Sequence, residues 1–278
     1  MDGHYVYLDG CLKKATERDP WFSCPGFLYG AGLFETIRVE RGQALYLKEH
    51  RERLALSCRS LNWPPPSTSL TEAISLVIEA NKVKEGRARL NYFQGREGFH
   101  LLVTAEEGLP YGEEEYRRGC RALILPWPRN QRSPLVKIKT MNYLENYWAL
   151  QKAREEGAGE GLFLNLAGRW AEGTRSNIFM VKKGVLYTPQ EDEGLLPGLM
   201  RKRVIRLALQ LGLEVVEAPL EKGFLWAAEE AFLTSSLMEI WPLVEVDRRA
   251  IGRGTPGPLT RFLREKYQEV KGEGTGVF

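Results

Sequence analysis

The sequence predicts a mixed α and β protein (α+β class) in two domains. Short apolar runs with a period of two alternate with amphipathic segments of helical period, and one proline-rich stretch divides a chain of 278 residues. Residues 1–125 are expected to form a smaller N-terminal α/β domain, 126–134 a linker, and 135–278 a larger C-terminal domain.

Tyr5 to Leu8 reads as a short strand ending at an Asp9-Gly10 turn. Leu33 to Val39 and Ala44 to Leu47 read as a hairpin around the polar turn Glu40-Arg41-Gly42-Gln43. Glu49 to Leu61 places Leu54, Leu56 and Leu61 among charges, as an amphipathic helix does, and Pro64-Pro65-Pro66 ends it. Ser69 or Thr71 can cap a helix running to about Val83. Strands follow at Arg87 to Phe93, His100 to Thr104 and Cys120 to Leu125. Pro126, Pro128 and Pro134 then mark the linker, because proline continues neither a helix nor a central strand. Beyond it the pattern gives a strand at Leu135 to Lys139, a helix over about Asn142 to Glu156, and strands near Leu162, Ile178 and Val185. A helix at Leu199 to Leu211, strands at Leu213 to Val216 and near Phe232 and Ile240, and a last helix over Pro258 to Val270 complete the chain.

Composition removes several classes. There are 39 Lys and Arg against 36 Asp and Glu, with 43% hydrophobic and 27% charged residues, which excludes wholesale disorder and collagen-like repeats. Basic runs such as Arg201-Lys202-Arg203 are short and sit in helical patterns, so no nucleic-acid partner is expected. Cys11, Cys24, Cys58 and Cys120 form no CxxC pair, and His4, His50 and His100 lie far apart, so neither a metal site nor a disulfide framework is expected. No apolar run approaches the roughly 20 residues of a membrane span. The expectation is a reduced, cytoplasmic protein without a membrane partner.

Four local features point to a phosphate held beside a reactive lysine. Gly194-Leu195-Leu196-Pro197-Gly198-Leu199-Met200-Arg201 is a Gly/Pro loop feeding a helix, whose free N–H groups and dipole suit an anion. Thr234-Ser235-Ser236 puts hydroxyls at the end of an apolar strand, where they donate to phosphate or close their own turn. Glu49-His50-Arg51-Glu52-Arg53-Leu54 offers an arginine for a bidentate phosphate contact, or only a solvated helix face. Lys137-Ile138-Lys139 places two lysines on one strand face, and a buried lysine loses its charge readily and condenses with aldehydes. Glu172, in Glu172-Gly173-Thr174-Arg175-Ser176-Asn177, reads by itself as a turn residue.

In this order the segments resemble the class-IV aminotransferases, the fold-type IV pyridoxal-phosphate enzymes. The resemblance runs through Gly26-Phe27-Leu28-Tyr29-Gly30-Ala31-Gly32-Leu33-Phe34-Glu35-Thr36, the helix start at Glu49 to Leu54, Lys139-Thr140-Met141-Asn142-Tyr143-Leu144, Glu172 to Phe179, Leu196 to Arg201 and Leu233 to Ile240. It implies a homodimer, a pseudo-barrel sheet in the larger domain and pyridoxal 5'-phosphate as cofactor. It makes Lys139 the Schiff-base lysine, Arg53 the phosphate-binding arginine and Glu172 the partner of the ring nitrogen. Leu199, Met200 and Ser236 become phosphate contacts, and Ser176 and Asn177 further cofactor contacts. Phe34, Arg87, Arg89, Arg175 and Leu237 fall against the small amino substrate.

Arg87 and Arg89 share a strand face, and two guanidinium forks suit a substrate with two carboxylates. With Gly26-Phe27-Leu28-Tyr29-Gly30 and the Ser236-Leu237-Met238-Glu239-Ile240-x-Pro242 segment, this run looks most like the Gram-positive type of aminodeoxychorismate lyase, which releases p-aminobenzoate and pyruvate for folate biosynthesis. The alternative is an aminotransferase of D-amino-acid or branched-chain type. The branched-chain Tyr-x-Arg is Arg87-Ala88-Arg89 here, and no counterpart of the D-amino-acid enzymes' Arg-x-His is evident.

Overall fold

The computed structural model describes residues 5–8, 11–14 and 24–271. The strands β1 (Tyr5–Leu8) and β2 (Cys11–Lys14) pair antiparallel. The expected Asp9-Gly10 turn and His4 lie outside the described residues. A short helix α1 (Pro25–Tyr29) ends at Gly30 and leads into β3 (Gly32–Glu40). With β4 (Gln43–Ala44), β5 (Gly86–Gln94) and β6 (Phe99–Glu107), β3 makes an antiparallel sheet in the order β4-β3-β5-β6. Leu33, Ile37 and Val39 share its core face with Leu54, Cys58, Ile74 and Ile78 from helices α2 (Leu47–Ser60) and α3 (Leu70–Ala80). The cap of α3 is Ser69, whose hydroxyl accepts the Glu72 N–H. The strand expected to run on to Leu47 stops at Ala44, because α2 begins at Leu47.

An additional helix, a reassigned strand and an absent strand mark the crossing to the second half. Helix α4 (Glu113–Arg118) precedes β7 (Cys120–Ile124). The sequence pattern makes β7 the last strand of the N-terminal domain, yet it pairs in parallel with β14 and β8 of the larger sheet. By sheet membership, the division we propose therefore lies near 108–112 rather than at the prolines, which interrupt the larger unit instead. The strand expected over Leu135–Lys139 is absent. Following Pro134, Val136 and Ile138 donate backward to Ser133 and Leu135, so the chain winds in turns until Thr140 bridges to Leu33. Lys137 and Lys139 consequently do not share a face: Lys137 is exposed and paired with Asp192.

The larger sheet comprises β7, β8 (Glu160–Leu164), β9 (Trp170–Gly173), β10 (Asn177–Lys182), β11 (Val185–Pro189), β12 (Val215–Ala218), β13 (Glu230–Ser235), β14 (Glu239–Val246) and the short β15 (Arg249–Ala250). Its order is β12-β11-β10-β13-β14-β7-β8-β9, with β15 on β14. Strands β9 and β10 stand far apart in that order, but only residues 174–176 connect them, so the sheet must curl into a half-barrel. Both of its faces are buried. Ile178, Met180, Ala231 and Leu233 face an inner core with Trp170 and Leu243. The alternate residues Phe179, Val181 and Phe232 face helices α6 (Leu199–Gln210) and α7 (Pro258–Val270) through Val204, Leu207 and Leu263. A further helix of this half, α5 (Leu144–Glu155), covers Phe163 and Ala171 with Ala149. Burial on two faces explains why β10 and β13 read as continuous apolar runs.

Among the described residues Cys24, Cys58 and Cys120 are buried, no group of His, Cys, Asp and Glu has metal-ligating geometry, and no helix is long and apolar enough to cross a membrane.

Candidate active site

A cavity of about 560 Å³ opens between the two sheets. Every residue that the sequence assigns to the site lines it: Lys139, Arg53, Glu172, Ser176, Asn177, Leu199, Met200, Ser236, Phe34, Arg87, Arg89, Arg175 and Leu237. They come from both halves of the chain, which is why local pattern alone leaves each of them ambiguous.

Lys139 is held by backbone hydrogen bonds to β3. The Phe34 N–H donates to the Lys139 carbonyl (3.0 Å), and the Met141 N–H to the Gly32 carbonyl (2.7 Å). Gly32 is required at that crossing, since a Cβ there would overlap the Met141 sulfur and Phe93. The ammonium lies 4.3 Å from the centre of the Phe34 ring. Burial, reinforced by Arg53, pulls its pKa down to about 8 although Glu35 and Glu172 oppose this.

Glu172 occupies strand β9 rather than a turn and is 8% exposed. Its carboxylate accepts the Leu196 N–H (2.9 Å) and lies 3.4 Å from Arg129. Burial pushes its pKa up to about 7, against the pull of Arg129 and the Leu196 N–H. The Asn177 amide donates to the Leu196 carbonyl (3.0 Å), so Glu172 and Asn177 together grip the loop before α6. Gly198 is the N-cap of α6 and offers no side chain to its first N–H groups, which leaves the helix start at Leu199 and Met200 suited to an anion. Ser176 lines the cavity, but its hydroxyl donates to the buried Glu160 (3.0 Å).

Arg53 makes two contacts to Glu35, through Nε (2.8 Å) and Nη2 (2.5 Å), and Nη1 takes no part in them. His50 completes the group at 2.7 Å from Glu35. Burial alone would raise the Glu35 pKa, but Arg53 and His50 hold it at about 2. The pair expected at Arg87 and Arg89 divides. Arg87 is turned onto Glu106 through Nε and Nη2 (3.2 and 2.6 Å). Arg89 lies over the Phe34 ring at 4.1 Å, and its Nε donates to Asn91. Arg175 donates to the Gly159 carbonyl and stands 3.6 Å from Glu160.

Other residues of the site escape the sequence pattern. Arg129, in the supposed linker, is 7% exposed, lies over Phe163 and contacts Glu145, while its Nε and Nη2 atoms lack a hydrogen-bond partner. Tyr143 meets Phe34 edge-on and donates its hydroxyl to the Thr174 carbonyl (2.8 Å). Thr234 carries a buried hydroxyl without a partner. Glu35 does leave a signal: it shares the period-two face of Leu33, Ile37 and Val39, where a carboxylate demands a cation.

A half-barrel sheet, a smaller sheet beside it and a half-buried lysine at their junction define a class that comparison with known proteins makes specific. Residues 32–246 match the amino-transferase class IV family, and the chain belongs to it. A protein of Methanocaldococcus jannaschii, provisionally named a branched-chain-amino-acid aminotransferase, is 35% identical over 96% of each chain. The T.th. branched-chain amino acid aminotransferase, solved with pyridoxamine 5'-phosphate, superposes with a TM-score of 0.84 at 30% identity, covering 96% of this chain and 93% of its own. A Legionella pneumophila structure provisionally titled 4-amino-4-deoxychorismate lyase gives 0.80 at 27%, covering 88% and 92%. The protein is thus a class-IV enzyme that uses pyridoxal phosphate.

Proposed function

We propose that this enzyme is an aminotransferase of branched-chain type, exchanging an amino group between an apolar amino acid and a dicarboxylic 2-oxo acid. One observation carries the choice. The expectation of a lyase acting on aminodeoxychorismate rests on two forks at Arg87 and Arg89, yet Arg87 is committed to Glu106 and only Arg89 faces the cavity without a carboxylate partner. A single fork beside the Phe34, Tyr111 and Leu237 side chains suits an apolar side chain in one half of the reaction and a second carboxylate in the other. Two of the three relatives named above carry branched-chain aminotransferase names and favour this reading, while the third carries the lyase name.

The donor set fits the cofactor. Thr234 keeps a buried hydroxyl and Arg129 a buried Nε without a hydrogen-bond partner, the start of α6 has open N–H groups, and a lysine of lowered pKa lines the same cavity. Arg53, Leu199, Met200 and Ser236 would hold the phosphate, Glu172 the ring nitrogen, and Lys139 the aldehyde carbon, with Ser176 and Asn177 shaping the wall. When bound, pyridoxal phosphate supplies the aldehyde that condenses with amines and an electron-poor ring that stabilises negative charge at the carbon bearing nitrogen. Lys139 does the proton work: with its pKa drawn down to about 8, its neutral amine is far more populated near neutral pH than an exposed lysine's and can accept a proton at Nζ. Glu172, poised near neutrality, holds or shares the proton at its end of the site. Phe34 and Tyr143 wall the lysine against water.

A homodimer is part of the proposal. The exposed apolar residues Phe27, Leu28 and Tyr29 on α1 and Leu144, Tyr147 and Trp148 on α5 flank the Gly30–Asn142 contact, at the cavity's edge.

The test mixes holoenzyme with L-leucine, L-valine, L-isoleucine or D-alanine and 2-oxoglutarate, and in parallel with aminodeoxychorismate made in situ. Glutamate formation from the branched-chain L-amino acids, with conversion of the cofactor to its pyridoxamine form, is expected. Repeated release of p-aminobenzoate and pyruvate with no such conversion would overturn the reading in favour of the lyase. Activity confined to D-alanine would move it to the D-amino-acid type.

A further inference from the structure

The turn joining β13 to β14 is held from outside the cavity by side chains of both halves. Ser235 pairs with Glu239, so residues 236–238 form a three-residue hairpin connection. Such loops end in a residue of left-handed conformation, normally glycine or asparagine. Here that residue is Glu239, with φ of 53° and 1% exposure. A charged, non-glycine side chain persists in that region only where its surroundings over-determine it. They do so here. Gln268 and Lys271, at the end of α7, donate to its carboxylate at 2.8 and 3.2 Å, and Arg38 of the smaller sheet approaches it at 3.5 Å.

The same neighbours grip the turn's backbone. Arg38 Nη1 donates to the Leu237 carbonyl (2.9 Å), the Tyr116 hydroxyl to the Met238 carbonyl (3.1 Å), and the Met238 N–H donates to the Ser235 hydroxyl (3.3 Å). Glu40 and Lys271 complete the cluster through a 2.8 Å contact. Thr234, Ser236 and Leu237 line the cavity, and the Ser236 and Leu237 N–H groups and the buried Thr234 hydroxyl have no hydrogen-bond partner among the described residues. Successive free N–H groups in a turn suit an anion.

We propose that Glu239 and Arg38 are positioning residues: locked together across the two sheets, they fix the Ser235–Met238 turn so that its unpaired N–H groups donate to an anion in the cavity. The anion is a phosphate or carboxylate oxygen, supplied by the cofactor or by the substrate. This rests on the reading of the cavity as the amino-transfer site. Neither residue lines the cavity, so their effect passes entirely through the turn.

The test uses holoenzyme and its cofactor-free form, with Glu239→Gly, Glu239→Gln and Arg38→Met. Glycine adopts the required φ without strain but removes the carboxylate, so this variant separates backbone strain from anchoring. Ile74→Ala, in the core of the smaller sheet and away from the turn, serves as the stability control. Two ratios are read beside the thermal midpoint: affinity for pyridoxal phosphate over pyridoxal, and the rate of cofactor conversion by L-valine over isobutylamine, which lacks the carboxylate. The proposal expects at least one ratio to fall roughly tenfold in Glu239→Gly and Arg38→Met, while Ile74→Ala loses thermal stability with both ratios unchanged. A fall in the first ratio assigns the turn to phosphate, and a fall in the second to the substrate carboxylate. Unchanged ratios in all three turn variants, whatever their midpoints, would overturn it. Should Glu239→Gly fail to fold, Glu239→Gln and Arg38→Met carry the same reading. If wild-type enzyme converts no amino acid at all, the proposed function fails, and the phosphate ratio still tests the turn.

Discussion

Glu172→Gln should remove a pH dependence of stability that the buried carboxyl builds into the cofactor-free protein. Burial moves the carboxyl from its usual 4.5 to about 7, so between those values the folded state holds a proton that the unfolded chain has released. Stability from this group is full below about pH 4.5 and is lost as pH rises towards 7. At about 1.36 kcal/mol per pH unit, the loss across the window is about 3 kcal/mol. For a chain of this length that corresponds to a fall of roughly 6 °C in thermal midpoint. His50 works in the opposite direction: burial lowers its pKa, so its contribution grows as pH rises towards 6.5. The useful quantity is therefore the difference between wild type and Glu172→Gln, which retains His50 in both. Thermal melts of cofactor-free protein at half-unit steps from pH 4 to 8 should show the wild-type midpoint falling by about 6 °C relative to the variant. Curves that stay parallel across that range would show that Glu172 ionises normally and would refute the argument that it is buried without adequate compensation.

Other substitutions separate roles within the site. Lys139→Ala should lower amino transfer by roughly 10⁴-fold or more without reducing the midpoint of the cofactor-free protein at pH 7, because it deletes a half-buried ammonium whose charge is disfavoured there; activity and melting measurements together check this. Arg89→Ala should raise the KM for 2-oxoglutarate roughly thirtyfold, through loss of about 2 kcal/mol of charged hydrogen bonding. Arg87→Ala, which breaks an exposed pair with Glu106, should change it less than about threefold, and steady-state kinetics on the two variants decide between them. Gly198→Ala keeps an acceptable φ of −65° but places a methyl against Asn177 Oδ1; cofactor titration should show affinity reduced by roughly tenfold at unchanged folding.

Local elements are readable in the sequence wherever one physical signal dominates. Ser69 marks the start of α3 because a hydroxyl accepts a free N–H there, and Pro64 to Pro66 mark where α2 cannot continue. The Leu135–Lys139 segment misleads because its apolar-charged alternation mimics a strand, although Pro134 and the local backbone bonds turn the chain at that point. The proline-rich run looks like a linker because prolines exclude regular structure; they do not exclude burial, and Arg129 is packed against Phe163 there. Glu172 looks like a turn residue because β9 is only four residues long and pairs with β8 in an irregular register. The site residues are legible as a set through family resemblance, but their commitments are not. Whether Arg87 turns outward depends on Glu106, a residue of the neighbouring strand β6 that no local pattern around Arg87 brings into view.

Those commitments decide what the cavity can bind. Arg53 is matched by Glu35, Arg87 by Glu106, Arg129 by Glu145 and Glu172, and Arg175 by Glu160. Among the lining arginines, Arg89 alone has no carboxylate partner within the described residues; its Nε contact is to a neutral amide. A partly buried guanidinium stacked on an aromatic ring keeps its charge but has exchanged water for a weaker environment, so an incoming carboxylate recovers more there than at a site already neutralised. The matched arginines instead set geometry: their carboxylates stand behind them and fix which nitrogen faces inward. Arg53 illustrates the division, with Nε and Nη2 held by Glu35 and Nη1 left over for a ligand. Recognition of a second substrate carboxylate therefore concentrates on Arg89, and the choice between one and two carboxylate forks, which distinguishes the aminotransferase from the lyase, reduces to whether Glu106 keeps Arg87 turned away.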